Sequence, residues 1–320
     1  MLVSRVSKRM RLGGGLACLL ALAACGTIAP KHTATPPPEQ AVLPEPGTGA
    51  LPQATSEASA ALRSYLTTVQ SSQLTQGLLR QDGGGPDTPF TADMLARNFG
   101  ELVFFNEYAT DRQARGVSGQ LRRWDSPVRI DVVFGPSVPP SQRLQDSDDV
   151  RRYAGRLAQA TGHPISLSKR ANFYVFFVSE DDRAATIDAV ATRLPGITRA
   201  NLDAVRNLRS DIYCAVAAYA SGPNASTYTA AVAVIRAENP DLLRLSCIHE
   251  ELAQALGLAN DSPEARPSIF NDDDEFALLT RHDELLLAML YDRRLSTGMT
   301  QPQATPIVRR IARELTQGPL

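Results

Sequence analysis

The chain has 320 residues, 43% of them hydrophobic, and a net charge of -1. This is enough apolar material for one large domain or two small lobes. The near balance of charge argues against a nucleic-acid binder, which needs a basic excess.

Residues 1–24 have the pattern of an export signal. Arg5, Lys8, Arg9 and Arg11 precede a short apolar core from Leu12 to Ala24. The core is shorter than the roughly 20 residues that span a bilayer. Leu22-Ala23-Ala24-Cys25 resembles a bacterial lipobox, which implies a thioether-linked diacylglycerol on Cys25 and cleavage before it. Gly26 at the next position resembles lipoproteins sent to the outer membrane, so the expected location is the outer membrane, facing the periplasm. Removing the leader takes four basic residues and no acid, and shifts the net charge from -1 to -5. Residues 25–60, rich in Pro, Ala and Thr, are expected to be an extended tether. The folded domain is expected over 61–320.

Within that domain the periodicity predicts a helix over Ser59–Leu79 and a second one capped by Thr91. Alternation from Val128 to Phe134 predicts a strand entered through Trp124. A helix over Asp148–Thr161 and an apolar strand over Asn172–Val178 follow. Helices are predicted over Asp181–Leu194 and Thr198–Asn207, then strands over Tyr213–Tyr219 and Thr227–Ile235. The next helix begins with Asn239 as N-cap and Pro240 at its first position. Leu245, Ile248, Leu252 and Leu256 make its apolar stripe, and Gly257 ends it. Glu250 and Gln254, four residues apart, lie on the face away from that stripe, with Glu251 at the border. A chain turning back after Gly257 would bring Asn260 and Asp261 beside them. Pro263 and Pro267 enforce a loop, and Asp272-Asp273-Asp274-Glu275 is expected to be a solvated turn. A helix starting at Leu279–Asp283 and a last one over Pro306–Leu315 complete the chain.

The run from Glu250 to Asn260 resembles, position by position, the metzincin zinc-protease motif H-E-x-x-H-x-x-G-x-x-H. Gly257 and the general-base position, Glu251, are kept; Glu250, Gln254 and Asn260 stand where the histidine ligands would be. Gln254-Ala255-Leu256-Gly257-Leu258 is similar to the matrixin form. The signature E-E-x-x-Q-x-L-G-L-x-N-D identifies the chain as a member of a bacterial envelope family of unknown function. The resemblance covers about 124–291. It implies an α+β, zincin-like fold: a mixed twisted sheet, the motif helix and a mainly helical C-terminal part. It also places Phe270 where metzincins have the methionine of their turn, and likens Thr280, Asp283, Leu290 and Tyr291 to the closing helix of matrixins. His249-Glu250 spells H-E, but Ala253 breaks H-E-x-x-H in that frame.

The neutral amide oxygens of Gln254 and Asn260 are poor partners for zinc, and Glu250 supplies a single carboxylate, so no metal and no cofactor is expected; calcium or zinc is the weaker alternative. The leading expectation is a pseudoenzyme whose Glu250, Gln254 and Asn260 replace the metal with a hydrogen-bonded polar network and whose cleft binds an envelope protein or peptide. The alternatives are a divergent metal-dependent hydrolase with Glu251 as base and a structural lipoprotein with no cleft function. An ordinary solvated helix face would carry the same letters. With Cys18 removed and Cys25 lipidated, Cys214 and Cys247 remain, a plausible disulfide in an oxidising compartment, with two buried thiols as the alternative.

Overall fold

The computed structural model describes residues 2–5, 55–105, 118–191, 193, 197, 199–221 and 225–317. Cys25 and nearly all of the expected leader and tether lie outside the described residues. Leu2–Arg5, within the expected leader, forms β1. Helices α1 (Glu57–Thr75) and α2 (Ala92–Phe104) come before β2 (Arg123–Trp124) and β3 (Val128–Phe134). Then follow α3 (Pro140–Thr161), β4 (Ile165–Leu167), β5 (Phe173–Val178), α4 (Arg183–Ala191) and α5 (Arg199–Arg206). The strands β6 (Cys214–Ser221) and β7 (Thr227–Arg236) lead into α6 (Asp241–Leu256), α7 (Arg281–Leu290) and α8 (Gln301–Gln317).

The sheet runs in the order β1-β6-β7-β5-β3-β4, with β2 paired to β7. β4, β3, β5, β7 and β2 are parallel to their neighbours; β6 is antiparallel to β7, and β1 to β6. This is an α+β protein with a mostly parallel central sheet.

β5 shows why the sheet sits at the centre. All six of its residues are apolar and all are buried, as expected of a strand covered on both faces. The side-chain period of two sends Phe173, Val175 and Phe177 to one core and Tyr174, Phe176 and Val178 to the other. The first and larger core contains α1, α2, α3, α6, α7 and α8; the second packs α4 and α5 against the opposite face.

Several boundaries moved for local reasons. α1 starts at Glu57, where Ser56 accepts from the Ser59 amide, so the folded domain reaches into the expected tether. α3 starts at Pro140, a residue preset for a first helical turn, well before Asp148. α8 begins at Gln301 and carries Pro306 inside it. Among the described residues no helix is long and apolar enough to cross a membrane.

Candidate functional site

β7 delivers the chain directly into α6, but the expected cap is not used. Asn239 gives its side-chain amide to the Tyr213 carbonyl at 3.1 Å, so Pro240 takes the N-cap position without a side-chain bond. Arg244 closes the first turn from above. It donates to the Asn239 carbonyl at 2.8 Å, to Asp146 at 2.6 Å and to Asp241 at 2.9 Å.

The other end of α6 is tied down by two aromatic residues. Trp124 Nε1 donates to the Ala255 carbonyl at 2.8 Å, and the Tyr291 hydroxyl donates to the Leu256 carbonyl at 3.0 Å. These carbonyls belong to the last turn, which has no partners within the helix. Trp124 is therefore more than core packing. Gly257 follows at φ +125°, and a Cβ there would sit 2.5 Å from the Arg122 carbonyl oxygen. Both the conformation and the close approach require glycine.

The face of α6 away from the apolar stripe is not at the surface, so these letters are not an ordinary solvated helix face. Every residue from Cys247 to Ala259 is buried, with Glu250 4% exposed and Glu251 and Gln254 0%. The periodicity of α6 was read correctly, but both of its faces are covered. His249 shows how this happens. Its ring stacks on Tyr153 of α3 at 3.9 Å, and its Nδ1 accepts from the Leu279 amide at 3.0 Å. The Tyr153 hydroxyl donates to the His249 carbonyl at 2.7 Å.

Beyond Gly257 the chain turns back, and the two candidate residues separate. Asn260 donates to the Glu101 carbonyl at 3.1 Å, while the Ala259 amide bonds to the Leu102 carbonyl at 2.8 Å, so this segment closes on the end of α2. Asp261, one residue later, accepts from Gln254 Nε2 at 3.4 Å. Gln254 Oε1 is buried and has no hydrogen-bond partner among the described residues.

The loop where the methionine turn was expected is built on Asp283. Its carboxylate accepts from Ser268 Oγ (2.5 Å), the Ile269 amide (3.1 Å), and both the amide (3.0 Å) and hydroxyl (2.9 Å) of Thr280. Thr280 and Asp283 thus form a capping box on α7 that also holds the 268–270 turn, with Phe270 fully buried. The acidic run is not simply solvated. Glu275 pairs with Arg266 at 2.6 Å and Arg80 at 2.9 Å; its carboxyl is held below the ordinary range by Arg266 first and by Arg80 to a lesser degree.

A zinc ion does not fit the donors in this frame. Carboxylate and amide oxygens are present without an imidazole, and the amide nitrogen of Gln254 faces Asp261. Among the described residues no three His, Cys, Asp or Glu side chains group to hold a metal. His163, His249 and His282 serve separate contacts, with the Ser126 carbonyl, the Leu279 amide and the Asn98 amide. Cys214 and Cys247 form a disulfide with their Cα atoms 5.9 Å apart, which joins β6 to α6 as expected.

The buried imidazole has a consequence for stability. Burial, aided by the charge of Arg156, pushes His249 down to about 3, from an ordinary value near 6.5. Between those pH values the unfolded chain binds a proton that the folded one refuses. Stability should therefore fall as pH drops below about 6.5, by up to about 1.4 kcal/mol per pH unit from this group, and level off near 3. His249→Asn keeps an acceptor for the Leu279 amide and removes the proton site. Urea midpoints between pH 4 and 7 should lose that slope in the variant; identical slopes would assign it elsewhere.

Sequence reasoning missed the ion pairs that hold the strand ends. Arg236, at the end of an apolar strand, and Arg244, in the first turn of α6, both have their side chains buried. A charge directly after a run such as Ala233-Val234-Ile235 was the available signal. A family model described as "Protein of unknown function (DUF2927)" matches residues 92–310. No curated protein and no solved structure matches the chain.

Proposed function

The chain belongs to the DUF2927 family of unknown function, and on that footing we propose that it is a lipid-anchored envelope protein that binds a protein or peptide without catalysis. In this reading its core is a degenerate zincin-like domain. The resemblance of the motif and the order of elements, with a strand running into the motif helix, support that description. The anchor would be the lipid on Cys25, and an exported location agrees with the disulfide between Cys214 and Cys247.

One observation carries the non-catalytic part. Glu251, the residue at the general-base position, is 0% exposed, and Gln254 at a ligand position turns its amide to Asp261. A general base must come within hydrogen-bond reach of water or substrate. Glu250, Glu251 and Gln254 are enclosed, which supports a role in holding the fold rather than in catalysis.

The decisive experiment combines metal analysis with substitution. The purified protein should contain no stoichiometric zinc, and chelators should leave its melting temperature unchanged, since a bound ion would stabilise the folded state. Gln254→Ala should cost about 1–3 kcal/mol, the range for a buried polar group whose partner is lost. One zinc per chain, with peptide hydrolysis abolished by Glu251→Gln, would replace this reading with the divergent hydrolase. Cys25→Ser should abolish fatty-acid labelling and release the protein from the membrane fraction.

A further inference from the structure

A cleft of about 800 Å³ lies between α2 and α8, beside the loop that follows Asp261. Its size is within the roughly 300–1,000 Å³ of ligand-binding clefts. α2 lines one wall with Asp93, Arg97 and Glu101, spaced four apart and so on one face. α8 lines the other with Arg309 and Arg313, again four apart, and Glu264 stands at the rim.

All six side chains are exposed, and none makes an ion pair or a side-chain hydrogen bond among the described residues. The contrast with other arginines is informative. Arg80, Arg156, Arg183, Arg206, Arg244, Arg266 and Arg294 each pair with a carboxylate. Charges of both signs line the cleft without pairing among the described residues. Such groups are available to a partner at little cost in broken bonds. Arginine forks suit carboxylates, and the three acids suit ammonium or guanidinium groups. A nucleic acid or other polyanion would meet Asp93, Glu101 and Glu264 as repulsion.

We propose that the α2–α8 cleft binds an extended polypeptide segment that carries both acidic and basic side chains. The inference rests on the non-catalytic binding reading and names the surface and the ligand class for it. The six charges set which peptide is accepted, and electrostatic complementarity of this kind governs specificity more than raw affinity.

The test uses the purified full-length protein and three fluorescent dodecapeptides, repeats of Glu-Gly-Lys-Gly, of Glu-Gly and of Lys-Gly. Anisotropy should show the mixed peptide bound at least ten-fold more tightly than either single-sign peptide. The double variant Arg309→Glu, Arg313→Glu should lose the mixed peptide at least ten-fold and gain affinity for the Lys-Gly peptide. That gain separates an altered cleft from a damaged fold. Absence of binding by all three peptides, equal binding of all three, or an unchanged profile in the double variant would overturn the proposal. Cleavage of a bound peptide would overturn the non-catalytic reading while leaving the cleft assignment in place. A metal-free protein that binds none of the peptides would do the reverse.

Discussion

Arg236→Met is expected to destabilise the protein by about 3–5 kcal/mol, the range for removing one partner of a buried charged network. The guanidinium is 0% exposed at the end of β7. It donates to the carbonyls of Ile212 (2.7 Å), Leu208 (3.1 Å) and Arg209 (2.7 Å), and it pairs with Glu180 at 2.6 Å. One side chain thus gathers the turn between α5 and β6 and fastens it to the loop after β5. Methionine fills similar volume and satisfies none of these acceptors. Burial of Glu180 disfavours its charge, but Arg183 and Arg236 outweigh that and pull its carboxyl down to about 2. The depressed value means that this contribution is complete above about 4.5 and is lost as pH falls toward 2. Glu180→Gln should therefore flatten acid sensitivity in that window. The check is a shift in denaturant midpoint at constant slope. A loss below about 1 kcal/mol would show that water replaces the guanidinium.

Loss of the Cys214–Cys247 bridge is the second large effect. The cysteines are 33 residues apart, and chain-entropy reasoning for a loop of that size gives about 3–4 kcal/mol. Both are nearly inaccessible, at 0% and 3% exposure. A double alanine variant should melt about 10 °C lower, and reductant should affect the native protein only under conditions that open it. Comparison of melting with and without reductant, together with non-reducing peptide mapping, decides this. Equal melting temperatures would mean that α6 is held in place by packing alone.

What the sequence disclosed was local and periodic. Phe173–Val178 announced a strand covered twice, because six apolar residues in a row leave no face for water. Asp241–Leu256 announced a helix through its stripe, and Gly257 marked its end. The cysteine pair was found by setting aside Cys18 in the expected leader and Cys25 at the expected lipidation site. What stayed hidden depended on segments distant in the chain. What covers Glu250 and Gln254 was not legible, because a helical period separates one face from another without saying what arrives on the second. Tyr153, Leu279 and Asp261 come from three separate segments. The Tyr213 carbonyl draws the Asn239 side chain away from the cap, and the end of α2 draws Asn260 away from Gln254. The α2–α8 cleft joins residues more than 200 positions apart, and neither helix alone carries a signal for it.

The enclosure of α6 also bears on time. A helix that forms the wall of an open cleft can lose its amide hydrogens to solvent through small local openings. From Cys247 to Ala259 this chain leaves no such route, since the residues are buried, Cys247 is bridged to β6, and Ala255, Leu256 and Ala259 are bonded to other elements. Its amides should exchange with deuterium only when the domain unfolds as a whole, and their protection should equal the global stability. The letters that resemble a reactive centre would then mark the slowest-exchanging part of the molecule.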